Sequence, residues 1–269
     1  NEQPEIESAP DAVTEMPHTS IEVRNLTFTY SESESTSLES VNLSVPEGSI
    51  LGVLGRTGSG KSTLLRLLPR LDNPPRGTIF IGGVDILDYD LKTLRGAFGT
   101  VPQDTFLFSA TLRDNIGFGV DDPSDELLQH VADVSTISRD MEIFPNGWQT
   151  QVGERGITLS GGQKQRVAIS RALAKEPRIL VFDDALSAVD TETEELILNK
   201  LLTERENRTS IIVSHRVSTL ATADRIAVFD QGKLAQFGTH DELMREEGFY
   251  SEVAILQQLS EQAAHGESE

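Results

Sequence analysis

The chain has 269 residues, long enough for one large α/β domain, and its 37% hydrophobic and 25% charged content is that of a protein with a real core. The formal net charge of −20 argues against a chain whose main task is gripping nucleic acid or an anionic lipid surface, since either would repel it. Cysteine is absent, which excludes disulfides and thiolate metal sites, and no apolar run approaches the ~18 residues of a membrane span.

Residues 1–18 are rich in Glu, Pro, Ser and Ala without an apolar period. They read as a disordered acidic linker or tail. Ile21 to Tyr30 predicts a strand whose apolar side changes phase between Val23 and Leu26, the mark of a bulge. Ser31 to Ser37 is loop. Leu38, Val41, Leu43 and Val45 predict a second strand, stopped at Pro46-Glu47-Gly48. Ile50 to Leu54 is nearly all apolar, as a strand buried on both faces should be. A glycine-rich loop follows it, and then Leu64, Leu67 and Leu68 recur at helical spacing up to Pro69.

Gly77 to Ile81 predicts a strand with a Gly82-Gly83 turn. From about 104 to 158 the pattern is helix and loop, and a long helix is expected from Gly162 to Lys175. Ile179 to Phe182 and Ser210 to Val213 predict buried strands. Arg225 to Phe229 and Leu234 to Phe237 predict a hairpin around Gln231-Gly232. Thr239 and Glu242, at capping-box spacing, open a last helical region. Alternating strands and helices imply an α/β fold with a mainly parallel sheet, an antiparallel piece near the start and a helical insert.

The loop after the third strand, Gly55-Arg56-Thr57-Gly58-Ser59-Gly60-Lys61-Ser62, fits the phosphate-loop pattern. Glycines let successive backbone N–H groups turn onto an anion, and the following helix points its positive end at the same place. Lys61 would neutralise the β- and γ-phosphates, and Ser62, followed by Thr63, would offer a hydroxyl to Mg²⁺. Read blandly, the segment is a glycine-rich strand-to-helix turn. Its usual partner is an acidic residue ending a buried strand, and Asp183 after Ile179-Leu180-Val181-Phe182 supplies one for Mg²⁺.

Between these two lies Leu159-Ser160-Gly161-Gly162-Gln163, and with it the chain resembles the nucleotide-binding domain of an ABC transporter over residues 19 to 255. The resemblance implies the ABC ATPase fold: a parallel phosphate-loop core sheet, an antiparallel β subdomain and an α-helical subdomain at about 104–165, with 256–269 a C-terminal tail. It implies ATP and Mg²⁺ as ligands, with Tyr30 stacking on adenine. Gln103 would touch Mg²⁺ and the attacking water and relay motion to the membrane domain, and His215 would touch the γ-phosphate. Ser160, Gly161, Gly162 and Gln163 would close over the γ-phosphate held by a second domain, paired head to tail. Ser187-Ala188-Val189-Asp190 would cross that dimer interface.

Each of these residues also has an ordinary reading: Tyr30 as a strand aromatic, Gln103 as a loop amide, His215 as a strand-end histidine, Ser160 as a helix cap. Gly153-Glu154-Arg155-Gly156, Phe106-Leu107-Phe108-Ser109 and Asn115-Ile116 resemble exporter sequence. They imply a transmembrane domain in the same polypeptide, a location on the cytoplasmic face of a membrane, and a chain cut from a longer protein. No nucleic-acid partner is implied, and the transported substance is not encoded in these residues.

One position departs from the family. Where the general-base glutamate belongs, after Asp183, stands Asp184, and Leu186 replaces a frequent threonine. The shorter side chain withdraws the carboxylate by at most about 1.5 Å. The expectation is a weakened ATP site whose intact signature completes an active site on a different partner. The alternative is an ATP-binding clamp without significant hydrolysis.

Overall fold

The computed structural model describes residues 6–31, 33, 35–153, 157–204 and 208–266. The chain forms two compact units, one built from residues up to Gly96 together with those from Thr209 onward, the other from Ala97–Arg208.

The first unit opens with β1 (Ile21–Phe28), β2 (Leu38–Val45), β3 (Ile50–Gly55), α1 (Lys61–Leu67), β4 (Ile79–Ile81), β5 (Val84–Asp85) and α2 (Leu91–Gly96). The second unit holds β6 (Phe98–Val101), α3 (Leu112–Ile116), α4 (Asp125–Val134), α5 (Gly161–Ala174), β7 (Ile179–Asp183) and α6 (Thr191–Thr203). The chain then returns to the first unit with β8 (Thr209–Val213), α7 (Val217–Leu220), β9 (Arg225–Asp230), β10 (Lys233–Gly238), α8 (His240–Arg245) and α9 (Phe249–Gly266).

In the first unit, β2, β1, β4 and β5 make an antiparallel sheet in that order. Val23 faces Leu43 but Leu26 faces Val41, so β1 carries one extra residue, the phase change read from the sequence. Asn25 takes the left-handed conformation there (φ 43°), and its N–H is caught by the Asn42 side chain at 2.8 Å. The core strand β3 pairs parallel with β8 on one side and β9 on the other. Every residue of β3 and β8 is buried, which accounts for their unbroken apolar character. β9 and β10 form the expected hairpin, with Gln231 (φ 45°) and Gly232 (φ 80°) both left-handed as a tight turn requires.

Residues 6–18, expected as a disordered tail, carry specific contacts in the described part. Val13 donates its N–H to Asp88 at 2.8 Å, the Ser8 hydroxyl accepts the Leu91 N–H at 2.8 Å, and Met16 is buried. Single anchoring residues, not a periodic face, dock this segment, which is why no pattern marked it. At the other end the chain stays helical through α9, well past residue 255.

The second unit pairs β6 with β7 in parallel, Phe98 opposite Ile179. Ser124 and Thr111 cap α4 and α3 with their side chains. The buried hydroxyls of Ser135 and Ser170 meet at 2.7 Å beneath the packed faces of α4 and α5. Among the described residues no helix is long and apolar enough to cross a membrane.

Candidate nucleotide site

The phosphate loop leaves the end of β3 and enters α1. Gly60 has φ 102°, and a Cβ there would stand 2.7 Å from both the Ser37 carbonyl oxygen and Leu38, so only glycine fits. The loop is tied to the hairpin turn by the Gly232 N–H on the Ser59 carbonyl at 3.1 Å. Lys61 is buried, and its ammonium donates to the carbonyls of Gly55 at 2.7 Å and Arg56 at 2.9 Å, curling its charge back over the loop. Arg56, Thr57, Gly58 and Ser62 face solvent, while Thr63 is buried. The Ser59 hydroxyl is buried with no hydrogen-bond partner. An orphaned buried donor in a glycine-lined loop is what an anion would satisfy, so these residues fit a phosphate group.

Two further predicted residues belong to the same unit. The Tyr30 hydroxyl donates to Thr63 at 3.4 Å, and its ring meets Phe28 edge-on at 5.0 Å, which sets Tyr30 beside the first turn of α1. His215 follows β8, whose Val213 pairs with Val53, and the Ser214 N–H reaches the Val53 carbonyl at 3.3 Å. Parallel pairing thus brings His215 and the phosphate loop out at the same edge of the sheet, with His215 exposed.

The second unit gathers the remaining residues. Asp183 ends β7, and Asp184 follows in the left-handed conformation (φ 51°), which aspartate tolerates better than most residues. The Gln103 amide donates to the Asp184 carboxylate in a long bond of 3.4 Å, so two residues 81 positions apart in sequence do meet. The Asp184 carbonyl accepts from the Ser187 hydroxyl at 2.8 Å.

Ser160 caps α5 through a capping box with Gln163: the Gln163 N–H reaches the Ser160 hydroxyl at 3.2 Å and the Ser160 N–H reaches the Gln163 side chain at 3.0 Å. A Cβ on Gly162 would sit 2.9 Å from the Ala188 carbonyl oxygen, and one on Gly161 3.3 Å from the Ala188 side chain. The close passage of the Ser187–Asp190 loop therefore calls for glycine at position 162 and crowds position 161. The exporter-like Glu154, Arg155 and Gly156 lie outside the described residues.

Three residues escaped sequence reasoning because their partners are distant. Buried Gln165 of α5 clasps the loop after β7, accepting the Ala188 N–H at 2.9 Å and donating to the Ser187 hydroxyl at 3.2 Å. Arg171 of the same helix donates to the Phe106 carbonyl, the Asn115 carbonyl and the Asn115 side chain, each at 2.8 Å. Burial lowers its pKa from the ordinary guanidinium value. The fully buried Asn115 in turn holds Phe108 by N–H and carbonyl, so the segment after Gln103 is bolted to α5. The third, Gln257, accepts the Val217 N–H and donates to the His215 carbonyl, holding the backbone just after His215.

The family model described as ABC transporter matches residues 38–187, which include the phosphate loop, Gln103, the signature and Asp184. The chain belongs to the ABC transporter family. Members of this family bind ATP through such a domain and are ATPases, and this chain carries that ABC ATP-binding domain.

The chain is 43% identical over 235 residues to the probable multidrug resistance ABC transporter ATP-binding/permease protein YheI of Bacillus subtilis, covering 87% of this chain and 40% of that protein. It is 42% identical over 234 residues to the ATP-dependent lipid A-core flippase of Idiomarina loihiensis, again 87% of this chain and 40% of the relative. A solved bacterial Atm1-family ABC exporter with ATP bound superposes with a TM-score of 0.90 at 41% identity, over 94% of this chain and 45% of that one. The ABC ATPase fold expected from the sequence is thus shown, and the chain spans about 40% of the length of these curated relatives.

Proposed function

We propose that this ABC domain binds MgATP in a head-to-tail sandwich with a second nucleotide-binding domain and drives an exporter from the cytoplasmic face of a membrane, with its own site attenuated. Lys61 and the loop N–H groups of Gly55 to Thr63 hold the phosphates, and Tyr30 holds the adenine. His215 contacts the γ-phosphate. Ser62 in the first unit offers a hydroxyl oxygen and, in the second, Asp183 and Gln103 offer a carboxylate and an amide oxygen, each a donor of the kind Mg²⁺ takes beside substrate phosphates. The metal, when bound, neutralises charge developing on the phosphate oxygens. Ser160, Gly161, Gly162 and Gln163 serve the ATP of the partner domain.

The observation that carries the attenuated site is Asp184. It stands where the family's general base belongs, and its carboxylate is met by Gln103, so the position is occupied by the right group on a shorter stem. A general base must lie within hydrogen-bond reach of the attacking water, and a misplacement of about 1 Å at a reacting centre can cost roughly a hundredfold. The transmembrane partner is proposed to dock on the second unit. There a cavity of about 360 Å³ is lined by Thr105, Phe106, Leu107, Val152, Leu159 and Lys164, with Phe106 67% exposed at its rim.

The same aspartate favours a second reading, a clamp that holds ATP while the partner domain hydrolyses. The nucleotide recovered after long incubation of the chain with MgATP separates the two. ADP accumulating slowly, and more slowly still in Lys61→Ala, is the result expected of an attenuated enzyme. ATP recovered intact and stoichiometric would replace that reading with the clamp.

A further inference from the structure

The last long helix reaches back to the nucleotide-binding edge of its own unit. Along α9 the stripe facing the core begins with Phe249 and the fully buried Tyr250 and continues one turn on with Ala254, all packed in one cluster with Leu54, Val217 and Leu220. The Tyr250 hydroxyl lies 2.8 Å from the His240 ring nitrogen Nδ1, which fixes the helix along its axis. Phe249 also lies beneath the guanidinium of Arg56 in the phosphate loop, at 5.1 Å from the ring centre.

Two turns beyond Tyr250, where the stripe would call for another apolar residue, stands Gln257. Both ends of its carboxamide are used. Its oxygen accepts the Val217 N–H at 2.8 Å and its NH₂ donates to the His215 carbonyl at 2.6 Å. Arg216, at the N-cap of α7, makes no capping bond with its own side chain, so Gln257 supplies that cap from 40 positions away. The Ser214 hydroxyl accepts the Arg216 N–H at 3.0 Å and completes the frame. The backbone is thus gripped from the His215 carbonyl to the Val217 N–H while the His215 residue itself stays exposed.

We infer that Gln257 is a positioning residue for the ATPase reaction: it sets the backbone from which His215 reaches the γ-phosphate, and it makes α9 part of that support. This rests on the reading of His215 given above. A planar group carrying one donor and one acceptor is needed to bridge a carbonyl and an N–H two residues apart. Glutamate keeps only the acceptor and sets a charge against the His215 carbonyl, and alanine keeps neither. Reacting groups must be held to within about 0.5 Å by their supporting shell, so loosening this grip should weaken the γ-phosphate contact without touching the phosphate loop.

The test compares the whole chain with Gln257→Ala, Gln257→Glu, His215→Ala and the double variant Gln257→Ala/His215→Ala. Two readouts are taken: the ratio of MgATP to MgADP affinity by calorimetry, and the exchange rate of the Val217 amide by NMR. A purely structural role for Gln257 would move melting temperature but leave the ATP-to-ADP ratio unchanged.

The expected result is that both Gln257 variants and His215→Ala lower that ratio by about two- to tenfold, the worth of one hydrogen bond. The double variant should be no worse than His215→Ala, and Val217 should exchange faster in Gln257→Ala. If His215→Ala lowers the ratio and the Gln257 variants do not, the positioning role is overturned while the reading of His215 stands. If His215→Ala leaves the ratio intact although Val217 exchange rises, the reading of His215 fails and takes the positioning role with it. Unchanged Val217 exchange in Gln257→Ala would remove the grip itself.

Discussion

Asp184 and Gly162 show how much one atom decides at this site. In its proposed role Asp184 offers the carboxylate of a general base on a stem one methylene shorter; its backbone is left-handed (φ 51°) and its carboxylate accepts from the Gln103 amide. Gly162 is constrained from the other direction. A methyl group there would press within 2.9 Å of the Ala188 carbonyl oxygen, and backbone cannot yield as a flexible side chain can. Gly162→Ala should therefore cost about 1–3 kcal/mol, read as a lowered denaturation midpoint. It should also displace the loop from Asp184 to Asp190, slowing ATP turnover in whichever pair of domains uses this signature. Unchanged stability would mean that the loop shifts freely and that the glycine answers to phosphate approach alone. Both residues were visible in the sequence, Gly162 as part of a motif and Asp184 as a departure from one. The reason for Gly162 was not, because Ala188 lies 26 positions away and no local pattern reports a close passage.

Elements were legible wherever burial imposed a period. β3 and β8 declared themselves by unbroken apolar runs, and the β9–β10 hairpin by Gln231-Gly232 between two strands. β6 went unassigned because Phe98-Gly99-Thr100-Val101 is short and contains glycine. Gly99 is needed since a Cβ would stand 2.6 Å from the Pro177 ring, and the strand exists because Ile179–Phe182 pairs with it. α6 was likewise missed, although Asp190 caps it through the Thr193 N–H at 2.9 Å. That bond, first among its causes, lowers the Asp190 pKa.

The position of α9 depends on Tyr250, and its ionisation offers a test at the element scale. Burial pushes the Tyr250 hydroxyl up to about 12. The folded pKa lies above the unfolded one, so the neutral phenol supports the fold fully below the unfolded value. That support is lost as pH rises through the folded value. Denaturation midpoints should therefore fall between about pH 10 and 12. The part of the fall due to this residue should be missing in Tyr250→Phe, which cannot ionise. An identical alkaline profile in the two proteins would show that Tyr250 does not couple α9 to the fold.

At the scale of the whole molecule, the order of motifs along the chain carried more than any single one. The phosphate loop was legible because its chemistry is contiguous from Gly55 to Ser62. The family followed from the signature placed between that loop and Asp183. What remained hidden was the scaffolding: Gln165 on the loop after β7, Arg171 and Asn115 behind the segment after Gln103, and Gln257 behind His215. Gln165, Arg171 and Gln257 are polar side chains whose partners lie 22 to 65 positions away, and only the fold brings them together. The proposed attenuation concerns a pair of domains, since under that proposal the intact signature serves the ATP of a different partner. It is tested most directly by ATP turnover of this chain and of Asp184→Glu, measured alone and with a second, glutamate-bearing nucleotide-binding domain, with melting curves to confirm that both fold. The expected result is a gain of about tenfold or more in the variant, in line with the cost of about 1 Å at a reacting centre. Equal, fast turnover of the two proteins alone would contradict it and make Asp184 a sufficient base in a symmetric ATPase.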